Sequence, residues 1–212
     1  MKQSFINKLF YILCLFFLSS VFSQPREDFL EEIVIEDFEN QTSKEYSFRI
    51  YSNSEVIPEI KKTKTLTSPN LFSNHSLFLR FPKGTTDQNI EIKFTNPRQI
   101  TNYVLYFKLQ IFANTQGGSI SLILEDSNFE VHILPVTVLN FNGWKEIIVK
   151  LNSSIKQDIK TLHSYSSVKV LGFLYTPDTS QAKNREDLFA LDDIIAITLP
   201  KFKLPANFMN LN

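Results

Sequence analysis

The sequence predicts an all-β protein, an antiparallel β-sandwich carrying one short helix, and three observations lead there. Nearly every apolar segment alternates with period 2, so that each extended run has one apolar face and one mixed face. The same segments are rich in Ile, Val, Phe and Tyr, side chains that fit a pleated, half-buried surface. Chain-reversal signals separate them: Pro82-Lys83-Gly84, Asn96-Pro97, Gln116-Gly117-Gly118, Asp126-Ser127-Asn128, Asn142-Gly143 and Thr176-Pro177-Asp178.

Taken in order, the pattern places strands at 32–38, 46–51, 76–81, 89–94, 103–112, 119–125, 130–139, 144–151, 168–175 and 188–198. Ile33-Val34-Ile35 marks the first. In the second, Tyr46, Phe48 and Ile50 alternate with Ser47 and Arg49, and in the fourth Ile90, Ile92 and Phe94 alternate with Glu91 and Lys93. Short strands at this spacing read as a sandwich. The helix is expected after Ser153 or Ser154, either of which can cap a stretch where Ile155, Ile159 and Leu162 recur at helical spacing and cover an open end of the sandwich. Residues 52–75, polar and carrying Lys61, Lys62 and Lys64, read as a surface loop. No internal repeat is visible, and one domain suffices.

Composition narrows the function. The chain has 212 residues with 22 basic and 22 acidic side chains, a balance that leaves no electrostatic footprint for nucleic acid. Twenty Phe and seven Tyr against five Gly exclude a solvated, disordered chain. A single cysteine excludes a disulfide framework and any CxxC site. Residues 1–23 read as a cleaved signal peptide: Lys2 and Lys8, an apolar run from Leu9 to Leu18 that is short for a membrane span, then Val21-Phe22-Ser23. The sandwich domain then occupies 24–199 and a C-terminal tail 200–212, giving an exported chain with no membrane segment in its mature form.

Two faces can be compared along the fifth strand. Tyr103, Leu105, Phe107, Leu109 and Ile111 are wholly apolar and are expected inward. Val104, Tyr106, Lys108, Gln110 and Phe112 form the other face, which holds more apolar and aromatic groups than wetting requires and is a candidate partner-binding surface. A one-residue bulge would swap the two sets. Trp144, after the Asn-Gly turn, is either an interface anchor or a core residue sealing one end. The tail keeps Phe202 and Phe208, so it too is a candidate contact.

Catalytic chemistry is thin. His75, His132 and His163 stand apart, without HExxH or HxH, and there is no GxSxG elbow or phosphate-binding loop. Glu125 and Glu130 flank one turn and read as turn residues. No cofactor is expected. Glu36, Asp37, Asp192 and Asp193 lie on the first and last strands; pairing of these strands would bring hard oxygens together for calcium, and the alternative is strand-end acids bonding neighbouring loops.

Val138-Leu139-Asn140-Phe141-Asn142-Gly143-Trp144-Lys145, Ile155-Lys156-Gln157, Leu171-Gly172-Phe173 and Leu191-Asp192-Asp193-Ile194, with Ile35-Glu36-Asp37-Phe38 and Ser76 to Phe81, resemble the outer-layer (sheath) proteins of spirochaete periplasmic flagellar filaments. The resemblance implies a non-enzymatic coat in the periplasm, whose partners are the flagellin core and other sheath proteins, and which contributes to filament shape and motility. The single Trp and the short chain depart from that family and imply a divergent or accessory member. The FxGW turn and the acidic last strand also resemble lectin-like jelly-roll carbohydrate modules. This leaves a secreted jelly-roll-like carbohydrate-binding module or adhesin as the alternative, with Tyr103, Tyr106 and Tyr175 as candidate sugar platforms.

Overall fold

The computed structural model describes residues 30–39, 46–51, 58–82, 89–115, 117–157, 168–178 and 186–201. Eleven strands lie among them: β1 (Glu31–Glu36), β2 (Tyr46–Tyr51), β3 (Glu59–Thr63), β4 (Ser76–Phe81), β5 (Asn89–Ile100), β6 (Tyr103–Asn114), β7 (Ser119–Glu125), β8 (Val131–Val138), β9 (Asn142–Lys150), β10 (Val168–Thr176) and β11 (Asp187–Leu199). All fall in one compact unit.

The strands form two antiparallel sheets. The front sheet runs β3-β4-β11-β6-β9, with β1 also paired to β11; the back sheet runs β2-β5-β10-β7-β8. From β4 to β7 the chain changes sheet at every strand, and it does so again from β8 to β11, the winding of a jelly-roll sandwich. Inward residues of both sheets make one core: Leu77, Leu79 and Phe81 of β4, Phe107, Leu109 and Ile111 of β6, Ile90, Ile92 and Phe94 of β5, Leu122 and Leu124 of β7, Val170 and Phe173 of β10. At one end Phe81, Tyr175 and Phe189 stack within 6 Å of one another, and the Tyr175 hydroxyl donates to Asp187 Oδ2 at 2.8 Å. Tyr175 is therefore a core residue and offers no sugar platform.

Bulges decide which side chain faces where. The β11–β6 register slips between Ile197/Tyr106 and Thr198/Val104, and the slip turns Val104 into the core at 2% exposure, while Tyr103 and Leu105 are only half-buried. Val104 is thus removed from the outer face where alternation had placed it. Its backbone is clamped by Gln157, whose amide oxygen accepts from Val104 N at 2.7 Å and whose amide nitrogen donates to Val104 O at 2.9 Å. On β10, Gly172 has φ 153°, and a Cβ there would lie 2.0 Å from the Ile92 carbonyl oxygen, so only glycine lets β5 approach.

Two sequence expectations are corrected here. Residues 59–63, read as loop, form the edge strand β3. The expected helix is not seen: residues 153–155 make a turn closed by Ile155 N to Asn152 O at 3.0 Å, and Ile155 plugs the core, while Ile159 and Leu162 lie outside the described residues. The signal-peptide expectation, Phe202 and Phe208 also fall outside them. No helix among the described residues is long and apolar enough to cross a membrane.

Candidate functional site

The outer face of the front sheet is where unexplained side chains gather. Registered pairs place Lys61, Phe78, Ala190, Phe112 and Trp144 in one row across β3, β4, β11, β6 and β9. With strands about 4.8 Å apart, Phe78 and Trp144 stand roughly 14 Å from each other along this row. Ala190 is small and fully buried between its aromatic neighbours, while Phe78, Phe112 and Trp144 remain half-exposed. Phe112 and Trp144 meet with centroids 5.8 Å apart and planes tilted by 63°, so the two rings do not form one flat platform. Lys61 Nζ sits 5.5 Å from the Phe78 ring centroid.

The next row down is polar: Asp192, Gln110 and Glu146, with Gln110 Nε2 donating to Glu146 Oε2 at 3.5 Å. Below it lie Val34, Ile195, Lys108 and Ile148, and below them Glu32, Ile197, Tyr106 and Lys150. Lys108 Nζ donates to Glu32 Oε1 at 3.0 Å, and that bond raises the Lys108 ammonium above its ordinary value. Val34 and Ile148 are 59% and 57% exposed. Of the five β6 residues expected to share a face, four do so.

The segment joining β3 to β4 stands on the polar row as a wall. Ser68 N and Ser73 Oγ donate to Asp192 Oδ2 at 3.2 and 2.6 Å, and Ser68 Oγ and Asn70 Nδ2 donate to Asp193 Oδ2 at 3.0 and 3.1 Å. Burial pushes the Asp192 carboxyl up, the neighbouring Asp193 adds to this, and the bonds from Ser73 and Ser68 only partly oppose it. At the tip of this segment Leu71 and Phe72 are almost fully exposed.

The four acids considered for calcium are not gathered. Glu36 registers with Ile194 on the core side of the sheet, where its Oε2 accepts from Arg98 Nη2 at 2.8 Å and its Oε1 from Phe38 N at 2.9 Å. Asp37 Oδ1 accepts from Glu39 N, and Asp192 registers with Gln110 on the opposite face. The calcium-cage candidate is corrected to its alternative, strand-end acids bonding their neighbours: the register shift between Val34 and Glu36 turns Glu36 to the core side while Asp192 lies on the outer face, and the loop bonds occupy Asp192 and Asp193. Trp144 is not a core seal; it lies on the outer face beside Phe112. Tyr103 is half-buried under Lys201, whose Nζ is 4.5 Å from its ring centroid.

One group of ligand-type side chains escaped the sequence. Asp126, Glu130 and His132 bring their donor atoms within 4.8 Å of one another at the β7–β8 turn. Glu130 and His132, two apart, share a face, which was the available signal.

The fold and this face define a jelly-roll β-sandwich with an aromatic row on an outer sheet. No family model matches the sequence, and no curated protein matches it. Among solved structures the chain is similar to the family 11 carbohydrate-binding module from Clostridium thermocellum in complex with a β-1,3-1,4-mixed-linked tetrasaccharide, at 14% identity and TM-score 0.47, over 81% of this chain and 98% of that one. It is similar to the xylan-binding domain from CBM 22 at 11% identity and TM-score 0.40, over 78% and 94%. The enzymatically active domain of tailspike protein 4 of bacteriophage CBA120 is similar at 13% identity and TM-score 0.42, over 74% of this chain but 19% of that one.

Proposed function

We propose that this chain is a non-catalytic carbohydrate-binding module that holds an oligosaccharide across the outer face of its front sheet. The observation that carries the reading is the row Phe78, Phe112 and Trp144 on three strands of one face, bordered by Gln110, Glu146 and Lys61. Pyranose rings present C–H groups of partial positive charge that pack on aromatic faces, and hydroxyls that need amide, carboxylate or ammonium partners; this face supplies both in adjacent rows. The wall at Ser68 to Ser73 stands on the adjacent polar row through its bonds to Asp192 and Asp193 and borders the aromatic row on that side. Screening the purified chain on a glycan array, followed by titration of any hit, tests the reading. A blank array with correctly folded protein removes it.

A second reading, a coat component of a periplasmic flagellar filament, is favoured by the exposed Val34 and Ile148 lower on the same face and by the sequence resemblance. In it, Tyr106, Lys108, Gln110 and Phe112 meet flagellin or other sheath proteins. Enrichment of the chain in isolated flagella over soluble periplasm supports it; absence from filaments ends it.

A further inference from the structure

We propose that the β7–β8 turn is a site for a divalent metal ion of the zinc class, held by Asp126, Glu130 and His132. The three donor atoms lie within 4.8 Å of one another, and His132 Nε2 is already 3.0 Å from Asp126 Oδ2. Tetrahedral zinc with bonds of about 2.1 Å spaces its ligands by roughly 3.4 Å, so only a modest closing movement is needed.

Charge argues for a cation here. The Asp126 side chain is fully buried, and its Oδ1 accepts from the backbone N–H groups of Asn128 and Glu130 at 2.8 and 3.0 Å. Those bonds hold the carboxylate in one orientation and aim Oδ2 at His132, with Lys156 N at a long 3.3 Å beside it. Among the described residues no lysine or arginine pairs with Asp126 or Glu130, and the Glu130 side chain makes no bond at all. The N–H groups and His132 thus keep Asp126 ionised in one orientation, and the second, untied carboxylate of Glu130 beside it adds negative charge that a divalent ion would neutralise. Lys169 is engaged with Glu125 at 2.6 Å and with the Phe129 ring.

The donor set selects the metal. One imidazole nitrogen with two carboxylate oxygens suits zinc and its neighbours, whereas calcium needs six to eight oxygens. Glu130 is exposed and its side chain is untied, so it can swing toward the ion. The backbone bonds to Asp126 Oδ1 are the outer contacts that orient a metal-bound carboxylate.

The test uses the full chain stripped with chelator, titrated with zinc by calorimetry and with cobalt by visible absorption. One zinc per chain, a raised melting temperature and cobalt bands of tetrahedral intensity are expected. Glu130→Gln and His132→Gln should each weaken zinc by at least about 10-fold and abolish the cobalt bands. Glu130→Gln disturbs no contact in the fold, so its result is readable even if His132→Gln unfolds. No heat and no melting shift in the unaltered chain, or unchanged zinc affinity in Glu130→Gln, overturns the proposal. The site lies at the β7–β8 turn of the back sheet and the aromatic row on the front sheet, so a blank glycan array leaves it standing.

Discussion

Trp144→Ala separates a surface contact from a core role with one substitution. The indole lies half-exposed on the edge strand β9, and its aromatic partner is the Phe112 ring at 5.8 Å. An edge-to-face pair contributes about 0.5–1.5 kcal/mol beyond area burial. With the partly buried indole surface added, the loss of folding stability should be about 1.5 kcal/mol, a fall of roughly 5 °C in melting temperature for a domain of this size. If the row holds sugar, removing the ring at its β9 end costs about 2 kcal/mol of binding, or about 30-fold in Kd. Because Trp144 is the only tryptophan in the chain, its fluorescence reports the site directly. Saturating a glycan hit should shift or quench the emission, and the Kd from fluorescence should match calorimetry. The reasoning is refuted by a folded Trp144→Ala chain that binds the same glycan as tightly as before. It is equally refuted by a chain that unfolds outright, since that restores Trp144 to the core.

Four further outcomes follow from the geometry. Gly172→Ala places a Cβ 2.0 Å from the Ile92 carbonyl oxygen and should lower stability by about 3 kcal/mol or more, seen as loss of soluble protein or a large fall in melting temperature. Val104→Ala should cost about 2 kcal/mol in urea unfolding, whereas Lys108→Ala, on the outer face of the same strand, should cost under about 1 kcal/mol. Burial works to raise the Asp126 carboxyl, but His132 and the N–H groups of Glu130, Asn128 and Lys156 outweigh it and hold the value below the ordinary aspartate range. The stability this gives is present above that range and lost as pH falls through the lowered value; in chelator, the gap between the unaltered chain and Asp126→Asn should be about 1–3 kcal/mol at neutral pH and close in acid. Asp192 has the opposite sign: its raised carboxyl makes stability fall as pH climbs from the ordinary aspartate range through the folded value, and urea midpoints across that window should fall less in Asp192→Asn.

Much of the fold was legible because burial on one face writes itself as alternation. Leu77, Leu79 and Phe81, or Ile90, Ile92 and Phe94, are apolar at every second residue and all reach the core. The strand β3 was not legible, since Glu59-Ile60-Lys61-Lys62-Thr63 holds one apolar residue and sits at a sheet edge, where a strand needs little burial and gains from charge. The bulge that turns Val104 inward has no signature in Tyr103-Val104-Leu105-Tyr106, four apolar or aromatic residues in succession. The inference that these strands form a sandwich held, while the short helix rested on Ile155, Ile159 and Leu162, of which Ile155 is buried from a turn.

The candidate site was legible only in pieces, and the reason is the geometry of sheets. Period 2 states which residues of one strand share a face, and so it joined Tyr106, Lys108, Gln110 and Phe112. It says nothing about which strands are neighbours, and a binding row runs across strands. Phe78, Phe112 and Trp144 are far apart in the chain and belong together only because β11 lies between β4 and β6, with Ala190 supplying the low point between two rings. The same limit explains the acids. Glu36 and Asp192 sit on paired strands, as expected, yet the register shift between Val34 and Glu36 and the irregularity after Asp192 assign them to opposite faces. Contacts closed within one hairpin are different: Asp126, Glu130 and His132 are set by a turn and one alternation, so a motif of that kind can be sought in sequence wherever an Asp-led turn opens a strand bearing Glu-x-His.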